Sequence, residues 1–383
     1  MLGAVNLCSV LFGAFIASIL AYVLYYFTKM VSTVRVSFIN NERNNKIVQR
    51  CPLLKGKYWP SPWVFNSHLQ GVILMKLRVK QNPQYRREIL VVEDGASLEL
   101  DWGESSGPEL SPESPVICLL SGVTGNSSSS YLVYLSIAFR SKGYRPVIMN
   151  YPNANGTPLT SPRFFCLDSI SDTRDFIDHV HNLFPKAPKV AIGFSLGGHF
   201  LLKYAQEIAN PPLAGLMTLS APFSSSKCVN AWKGQWVHEN VYDKHFLGKF
   251  KGGYERNAEL FQKLGTLDHD KIMQARNMDE LHESLSIILH KVNNMDEYHS
   301  IMSSDAKISD VKTPTLVLHA WNDPVVPPFA LPIEKIKKNP YIIFAATRTG
   351  GHTGWLSGWR PWRNLAWCEE VALQFTDAIL AVY

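Results

Sequence analysis

The sequence predicts an α/β protein: a mostly parallel sheet covered by helices, with a helical insertion late in the chain and an apolar helix ahead of it. Three observations carry that expectation. From residue 115 onward, apolar runs of strand length alternate with stretches of helical length, the rhythm of a parallel sheet whose crossovers are helices. One of those runs, Lys189-Val190-Ala191-Ile192, leads directly into Gly193-Phe194-Ser195-Leu196-Gly197, a G-x-S-x-G sequence placed where a strand turns sharply into a helix. Ahead of all this, Val5 to Phe27 carries no charged residue and is long enough to cross a bilayer as one helix.

That first segment, residues 1–29, reads as a membrane anchor. Tyr22, Tyr25 and Tyr26 cluster at the end of the apolar run, where an interfacial belt would sit. No basic segment precedes the run, and it exceeds the apolar core of a signal peptide, so an uncleaved anchor is expected over a leader. Lys29, Arg35, Arg43 and Lys46 all follow the span, which points the body to the cytosolic side. Asn126-Ser127-Ser128 and Asn155-Gly156-Thr157 are formal glycosylation sequons, which would matter only on the lumenal side.

Residues 30–114 form a lead-in segment. Tyr58-Trp59-Pro60-Ser61-Pro62-Trp63 is rigid and aromatic; its bulk suits packing over the body or contact with a membrane interface, and packing is the expected role. Glu88–Val92 and Ser97–Trp102 flank Asp94-Gly95, a hairpin signal. Glu104 to Glu113 reads as a loop of Ser, Pro, Gly and Glu. The core is expected in two parts, 115–222 and 313–383. Strands are predicted at Val116–Leu120, Pro146–Asn150, Val190–Phe194, Leu213–Leu219, Thr315–His319 and Tyr341–Phe344. Between and after them come helices at Tyr131–Arg140, Asp168–Leu183, His199–Ala205, Ala330–Lys338 and Ala366–Leu380. Phe176, Ile177, Val180 and Leu183 share one face of the second. Residues 223–312, rich in Lys, His, Asp, Glu and Met, read as a helical insertion in a natural lid position.

Composition narrows the function. The chain has 383 residues, 46% of them hydrophobic, which is ample for a large core. Its net charge of +6 is mild, and no dense Lys/Arg run marks nucleic-acid binding. Cys8, Cys51, Cys118, Cys166, Cys228 and Cys368 are scattered, without CxxC or zinc spacing. No disulfide framework, structural metal or cofactor is expected.

The chemistry is expected at Ser195. A tight elbow excludes side chains at 193 and 197, and glycine has none. A serine hydroxyl is a weak nucleophile, so it needs a base and an orienting carboxylate. For a serine on such an elbow the chain order is Ser, then acid, then His. Asp323 lies in the exit loop of the Thr315–His319 strand, and His352 stands between glycines after the next strand. Both therefore emerge at the strand edge that carries Ser195. Asp305 and Asp310 precede the strand and would sit at its other end. The expected assignment is Ser195 as nucleophile, His352 as base and then acid, and Asp323 as its orienter. Donors to an oxyanion are expected from the N–H of Leu196 and from the N–H of Val123 in Ser121-Gly122-Val123-Thr124-Gly125-Asn126. His238 and Asp243 have H-x4-D spacing, and Lys227 to Lys251 is basic. The first is expected to be a chance pair over an acyltransferase pattern, and the second a solvated face over a phosphate-headgroup contact.

With these residues placed, the chain resembles the membrane-anchored α/β-hydrolase-domain (ABHD) family, in the branch of the one-and-three-type phospholipases and related ester hydrolases. Besides the elbow and Gly350-Gly351-His352-Thr353-Gly354, the resemblance is carried by Leu159-Thr160-Ser161-Pro162-Arg163 and by His179-Val180-His181-Asn182-Leu183-Phe184-Pro185. Where relatives often carry Pro-Gly-Leu-Thr-Gly, this chain has Ser121-Gly122-Val123-Thr124-Gly125, and it has Asn150-Tyr151-Pro152 in place of Asn-Arg-Gly. The resemblance implies an α/β-hydrolase fold and hydrolysis of carboxylic esters of lipids, including phospholipids, with acyl transfer to an alcohol in some members. A non-catalytic lipid-binding protein on the same fold is the reading from another class. The expected partners are a lipid ester and a membrane crossed once, in the endoplasmic reticulum or another endomembrane, and no nucleic acid.

Overall fold

A computed structural model of the protein describes residues 2–64, 66–103, 108–165 and 167–383; residues 104–107 of the predicted loop and Cys166 lie outside the described residues. Apart from a two-residue pairing of Ser32–Thr33 with Lys57–Tyr58, the strands are β1 (Arg35–Phe38), β2 (Arg86–Val91), β3 (Ser97–Trp102), β4 (Val116–Leu120), β5 (Arg145–Asn150), β6 (Lys189–Phe194), β7 (Gly215–Leu219), β8 (Thr315–Ala320) and β9 (Ile342–Thr347). They form one nine-stranded sheet in the order β1-β9-β8-β7-β6-β4-β5-β3-β2. From β9 to β5 every neighbouring pair is parallel. The β2–β3 hairpin extends one edge antiparallel, and β1 caps the other.

The central strands are buried on both faces. In β4, Val116, Cys118 and Leu120 join one apolar cluster while Ile117 and Leu119 join the other. This is the period of two expected of a strand covered on both sides. The second cluster includes Leu132, Leu135 and Phe139 of α3 (Ser130–Ser141) and Phe375 and Ile379 of α10 (Trp367–Leu380). The first includes Phe176, Ile177 and Val180 of α4 (Asp168–Leu183) and Phe200 of α5 (Leu196–Glu207). It continues into the segment after β7, which includes α6 (Ser225–Trp232), α7 (Lys244–Glu255) and α8 (Met295–Ile301). The five cysteines among the described residues are unpaired; Cys118 is fully buried, which pushes its thiol up to about 12.

Three local expectations are corrected. Leu183 is 46% exposed; α4 ends there, and Phe184 turns inward instead, edge-on to Trp102 at 5.7 Å. The helix predicted at Ala330–Lys338 is split into a 3₁₀ turn, Pro328–Ala330, and α9 (Ile333–Lys338). Pro332 stands between them and lacks the N–H a continuous helix needs. The last strand runs on to Thr347, because Ala345, Ala346 and Thr347 stay in register with Leu318, His319 and Ala320.

The lead-in segment is more ordered than its sequence suggests. Beyond β1, it contributes α2 (Ser67–Lys76), capped by the Asn66 side chain. Cys51, Leu54, Tyr58 and Leu74 pack into the second cluster. The apolar α1 (Leu2–Tyr25) stands out from the body as the one candidate span among the described residues, with none of its apolar window buried. Its end is tied down: Tyr26 Oη donates to the Pro60 carbonyl at 2.7 Å, Tyr22 Oη donates to that of Pro62, and Arg348 donates to that of Thr28 at 2.8 Å.

One buried ion pair joins the lead-in to the C-terminal helix. The Arg78 guanidinium meets both Glu369 oxygens at 2.5 and 2.6 Å, donates to the Asn364 carbonyl and lies over the Tyr134 ring. Glu369 also accepts the Ala366 N–H. Both charges are shut off from water, so removing one strands the other. Glu369→Gln should cost about 3 kcal/mol of folding stability by denaturant titration, whereas removing the exposed Glu42 of the Lys46–Glu42 pair should cost little.

Candidate active site

Parallel strands end on one rim, and the site is assembled there. β6 ends at Phe194, and Ser195 breaks away with φ 52° and ψ −120° before α5 begins. A Cβ at Gly193 would overlap the Gly197–Gly198 backbone, and one at Gly197 would overlap the Ser121 carbonyl. The Ser195 N–H donates to Leu219 O at 2.8 Å, which ties the elbow to the end of β7.

Two strands further along, β8 delivers Asp323. Its N–H closes a turn on Ala320 O at 3.0 Å, and its Oδ1 accepts the N–H groups of Val325 and Val326, each at 2.9 Å. β9 delivers His352 from a loop in which Gly351 has φ +63° and a Cβ would strike the Ser67 carbonyl. His352 Nδ1 lies 2.9 and 3.1 Å from the Asp323 oxygens, and Nε2 lies 2.9 Å from Ser195 Oγ. An ionised carboxylate only accepts, so the Nδ1 proton faces Asp323 and Nε2 is free to accept from the serine. Burial pushes the Asp323 carboxyl up, but the facing His352 ring, His319 and the Val326 N–H outweigh it and hold it below its ordinary value.

Sequence reasoning missed what fixes the His352 loop. Ser220, the residue after β7, sits at φ 51° with its hydroxyl accepting the Thr353 N–H at 3.2 Å. Asn322 Oδ1 accepts the Gly351 N–H at 3.0 Å. Position just past a strand at the same rim was the available signal for Ser220; nothing in the sequence marked Asn322 apart from its neighbour Asp323.

The loop after β4 lies against the serine: a Cβ at Gly122 would sit 3.2 Å from that of Ser195. Gly125 N–H donates to Gly122 O, and Thr124 takes φ 60°. Among the described residues no hydrogen bond is found from the N–H of Val123 or of Leu196. Further along, Ser127 is held by Asp101 at 2.6 Å and by Asn150 at 2.7 Å, and Asp101 in turn by Arg87. The sequon side chains face inward: the Asn126 amide donates to Ala154 O and that of Asn155 to Glu99.

Ser195 and His352 open into a cavity of about 980 Å³. One side is apolar, with Val229, Trp232, Phe246, Phe250 and Met302 from the segment after β7. The other is formed by α2 and the residues after it, including Val72, Lys76 and Tyr85. His68 Nδ1 and the Tyr242 hydroxyl, 2.7 Å apart, bridge the two sides. His238 and Asp243 do not meet as a pair: His238 donates to Pro324 O at 2.6 Å, and Asp243 accepts the Met278 N–H. In the basic stretch, Lys251 is not solvated as expected, for it caps the carbonyls of Met273 and Ala275.

A family model for the α/β hydrolase fold matches residues 115–346. Over 94% of its length the chain is 29% identical to phospholipase ABHD3 of Mus musculus, of which it covers 88%. It is 26% identical to the putative esterase YheT of Escherichia coli, over 76% of this chain and 85% of that one. To monoacylglycerol lipase ABHD2 of Danio rerio it is 24% identical, over 88% and 83% of the two chains.

Other histidines near the rim are sealed in as neutral rings. His199, four residues past Ser195, is 1% exposed; burial, helped by Lys203 and opposed by the Pro222 carbonyl, pulls it down to about 3. The unfolded chain binds this proton near pH 6.5 and the folded one does not, so stability is full above that pH and falls below it. The depressed Asp323 acts with the same sign at lower pH. Denaturant titrations should show stability dropping from pH 7 to pH 5, and His199→Phe should remove roughly 2 kcal/mol of that drop.

Proposed function

The chain belongs to the α/β-hydrolase family, and from that premise we propose that it is a membrane-anchored serine hydrolase cleaving carboxylic acyl esters of lipids, phospholipids or related esters, through an acyl-serine intermediate. Relatives named as phospholipase, esterase and monoacylglycerol lipase support carboxylic-ester hydrolysis at the level of the family. The observation that carries the proposal for this chain is the unbroken line Ser195 Oγ, His352 Nε2, His352 Nδ1, Asp323.

In this reading Ser195 Oγ attacks the ester carbonyl carbon as its proton passes to His352 Nε2. The carbonyl oxygen becomes an oxyanion, met by the N–H groups of Val123 and Leu196, which have no competing acceptor. Asp323 keeps the Nδ1 proton in place and stabilises the imidazolium; it stays ionised throughout. Collapse of the adduct breaks the C–O bond, and His352 gives its proton to the departing alcohol. Water then enters, loses a proton to His352 and attacks the acyl carbon, releasing the acid and restoring the Ser195 hydroxyl.

The same reading assigns the rest of the chain. Residues 1–29 serve as the anchor, 30–114 as the lead-in, 115–222 and 313–383 as the catalytic core, and 223–312 as a lid. The apolar side of the cavity suits an acyl chain. An alcohol could take the place of water, since the acyl-serine is common to both reactions.

A fluorophosphonate probe should label the intact protein once per chain, and Ser195→Ala should abolish the label. Asp323→Asn should leave the fold intact and lower kcat on a lipid ester by roughly a thousandfold or more. An unlabelled native protein, beside a serine hydrolase that labels in the same sample, would sink the proposal. Product analysis with and without added alcohol separates hydrolysis from transfer.

A further inference from the structure

No acidic residue stands between Glu42 and Glu88, and none between Glu334 and Glu369. These two stretches meet in the fold. The Trp63 indole donates to Trp359 O at 3.0 Å with the rings 4.2 Å apart, Ser61 N–H donates to Leu356 O, and Val79 N–H donates to Trp362 O. The surface they build leaves large apolar groups in the open: Trp59, Trp63, Leu69, Leu77 and Trp359, the last 65% exposed. Lys57, Lys76, Lys80, Arg360 and Arg363 are exposed among them.

The end of α1 is fastened to this same surface. Tyr26 and Tyr22 donate to the carbonyls of Pro60 and Pro62, and Phe27 meets Trp59 edge-to-face at 6.0 Å. Trp59 therefore shares the level of the tyrosines at the end of the apolar helix. The chain then enters α2, which is about 15 Å long and whose residues Ser67, His68, Val72 and Lys76 line the cavity. Gly71 faces the His352 carbonyl; a Cβ there would sit 3.1 Å from it. One continuous surface thus runs from the anchor to the wall of the cavity.

We infer that this face is a second membrane contact, seated at the headgroup–acyl boundary of the leaflet where α1 enters, so that a lipid reaches the cavity past α2 without leaving the bilayer. The inference rests on α1 being an anchor. Indoles favour this level of a membrane, apolar side chains gain by burial below it, and Lys and Arg reach up to the phosphates. A carboxylate would be both repelled by the phosphates and desolvated, and the two stretches contain none. Large apolar side chains grouped on one exposed surface mark a site of interaction, and the docked anchor makes the partner there the bilayer.

The test uses the full chain in phosphatidylcholine vesicles, with and without phosphatidylserine. Environment-sensitive fluorophores on Leu69→Cys and Leu77→Cys should report apolar surroundings, while one on Ser141→Cys, at the opposite rim of the sheet, should stay in water. The double variant Leu69→Asp, Leu77→Asp should lose about tenfold or more of its activity on vesicle lipid and keep its activity on a water-soluble short-chain ester. Wild type and variant should both resist carbonate extraction, since α1 is untouched. If the wild type washes off, the anchor reading falls, and the fluorophores then decide the face by themselves. A protein that stays in the membrane with water around both probes overturns the inference. So would probes that turn apolar only when a second protein is added. The fluorophore readout stands even if vesicle lipid proves not to be a substrate or the double variant does not fold.

Discussion

The contact on which the site depends is the 2.9 Å approach of His352 Nε2 to Ser195 Oγ, made between residues 157 positions apart. No local interaction can produce it. It exists because β6, β7, β8 and β9 run parallel in register, so that all their C-terminal ends reach one rim. Each link in that register is a backbone hydrogen bond: Ser195 N–H to Leu219 O, Ser220 N–H to Leu318 O, Trp321 N–H to Thr347 O. A slip by one residue along β8 or β9 would move Asp323 or His352 by about 3.3 Å, enough to break the line.

The rim is also where the backbone is strained. Among the described residues seven non-glycines have positive φ, and Thr124, Ser195, Ser220, Thr353 and Trp355 of these belong to the loops around the serine. Each such residue costs on the order of 1–3 kcal/mol and persists only where its surroundings over-determine it. Here they do. The elbow is clamped by close backbone approach at Gly193 and Gly197, the histidine loop by Ser220, Asn322 and α2, and the loop after β4 by Asp101 and Asn150. The sheet behind them, buried on both faces, carries that cost. This arrangement differs from the one at His199 and His282, which burial holds as neutral rings apart from the Ser195–His352–Asp323 line.

The lead-in segment connects these themes. Its β1 closes the sheet edge beside β9, the strand that delivers His352, and its α2 packs on the histidine loop and forms a wall of the cavity. Arg78 and Glu369 fasten it to the C-terminal helix by a buried charge pair in which losing one member strands the other. A segment that reads as a connector is thus part of the site, and it ties the site to the apolar helix at the start of the chain.

Legible along the chain alone were the alternation of strands and helices from residue 115, the strand–Ser–helix elbow, the order Ser195, Asp323, His352, and the apolar helix at the start. Each is written locally: apolar runs of fixed length, glycines where only glycine fits, and charge-free length. β1 was not legible, because Arg-Val-Ser-Phe has no distinct strand pattern and is held by β9, some 300 residues away. α2 escaped notice because its polar and apolar residues follow no single face; it is fixed by the Asn66 cap and by contact with the histidine loop. Ser220, Asn322 and the His68–Tyr242 bridge are ordinary residues until folding sets them beside the site. Local pattern encodes which way a segment bends and what it buries. Which distant segment it meets depends on the register of the whole sheet, which no local pattern contains.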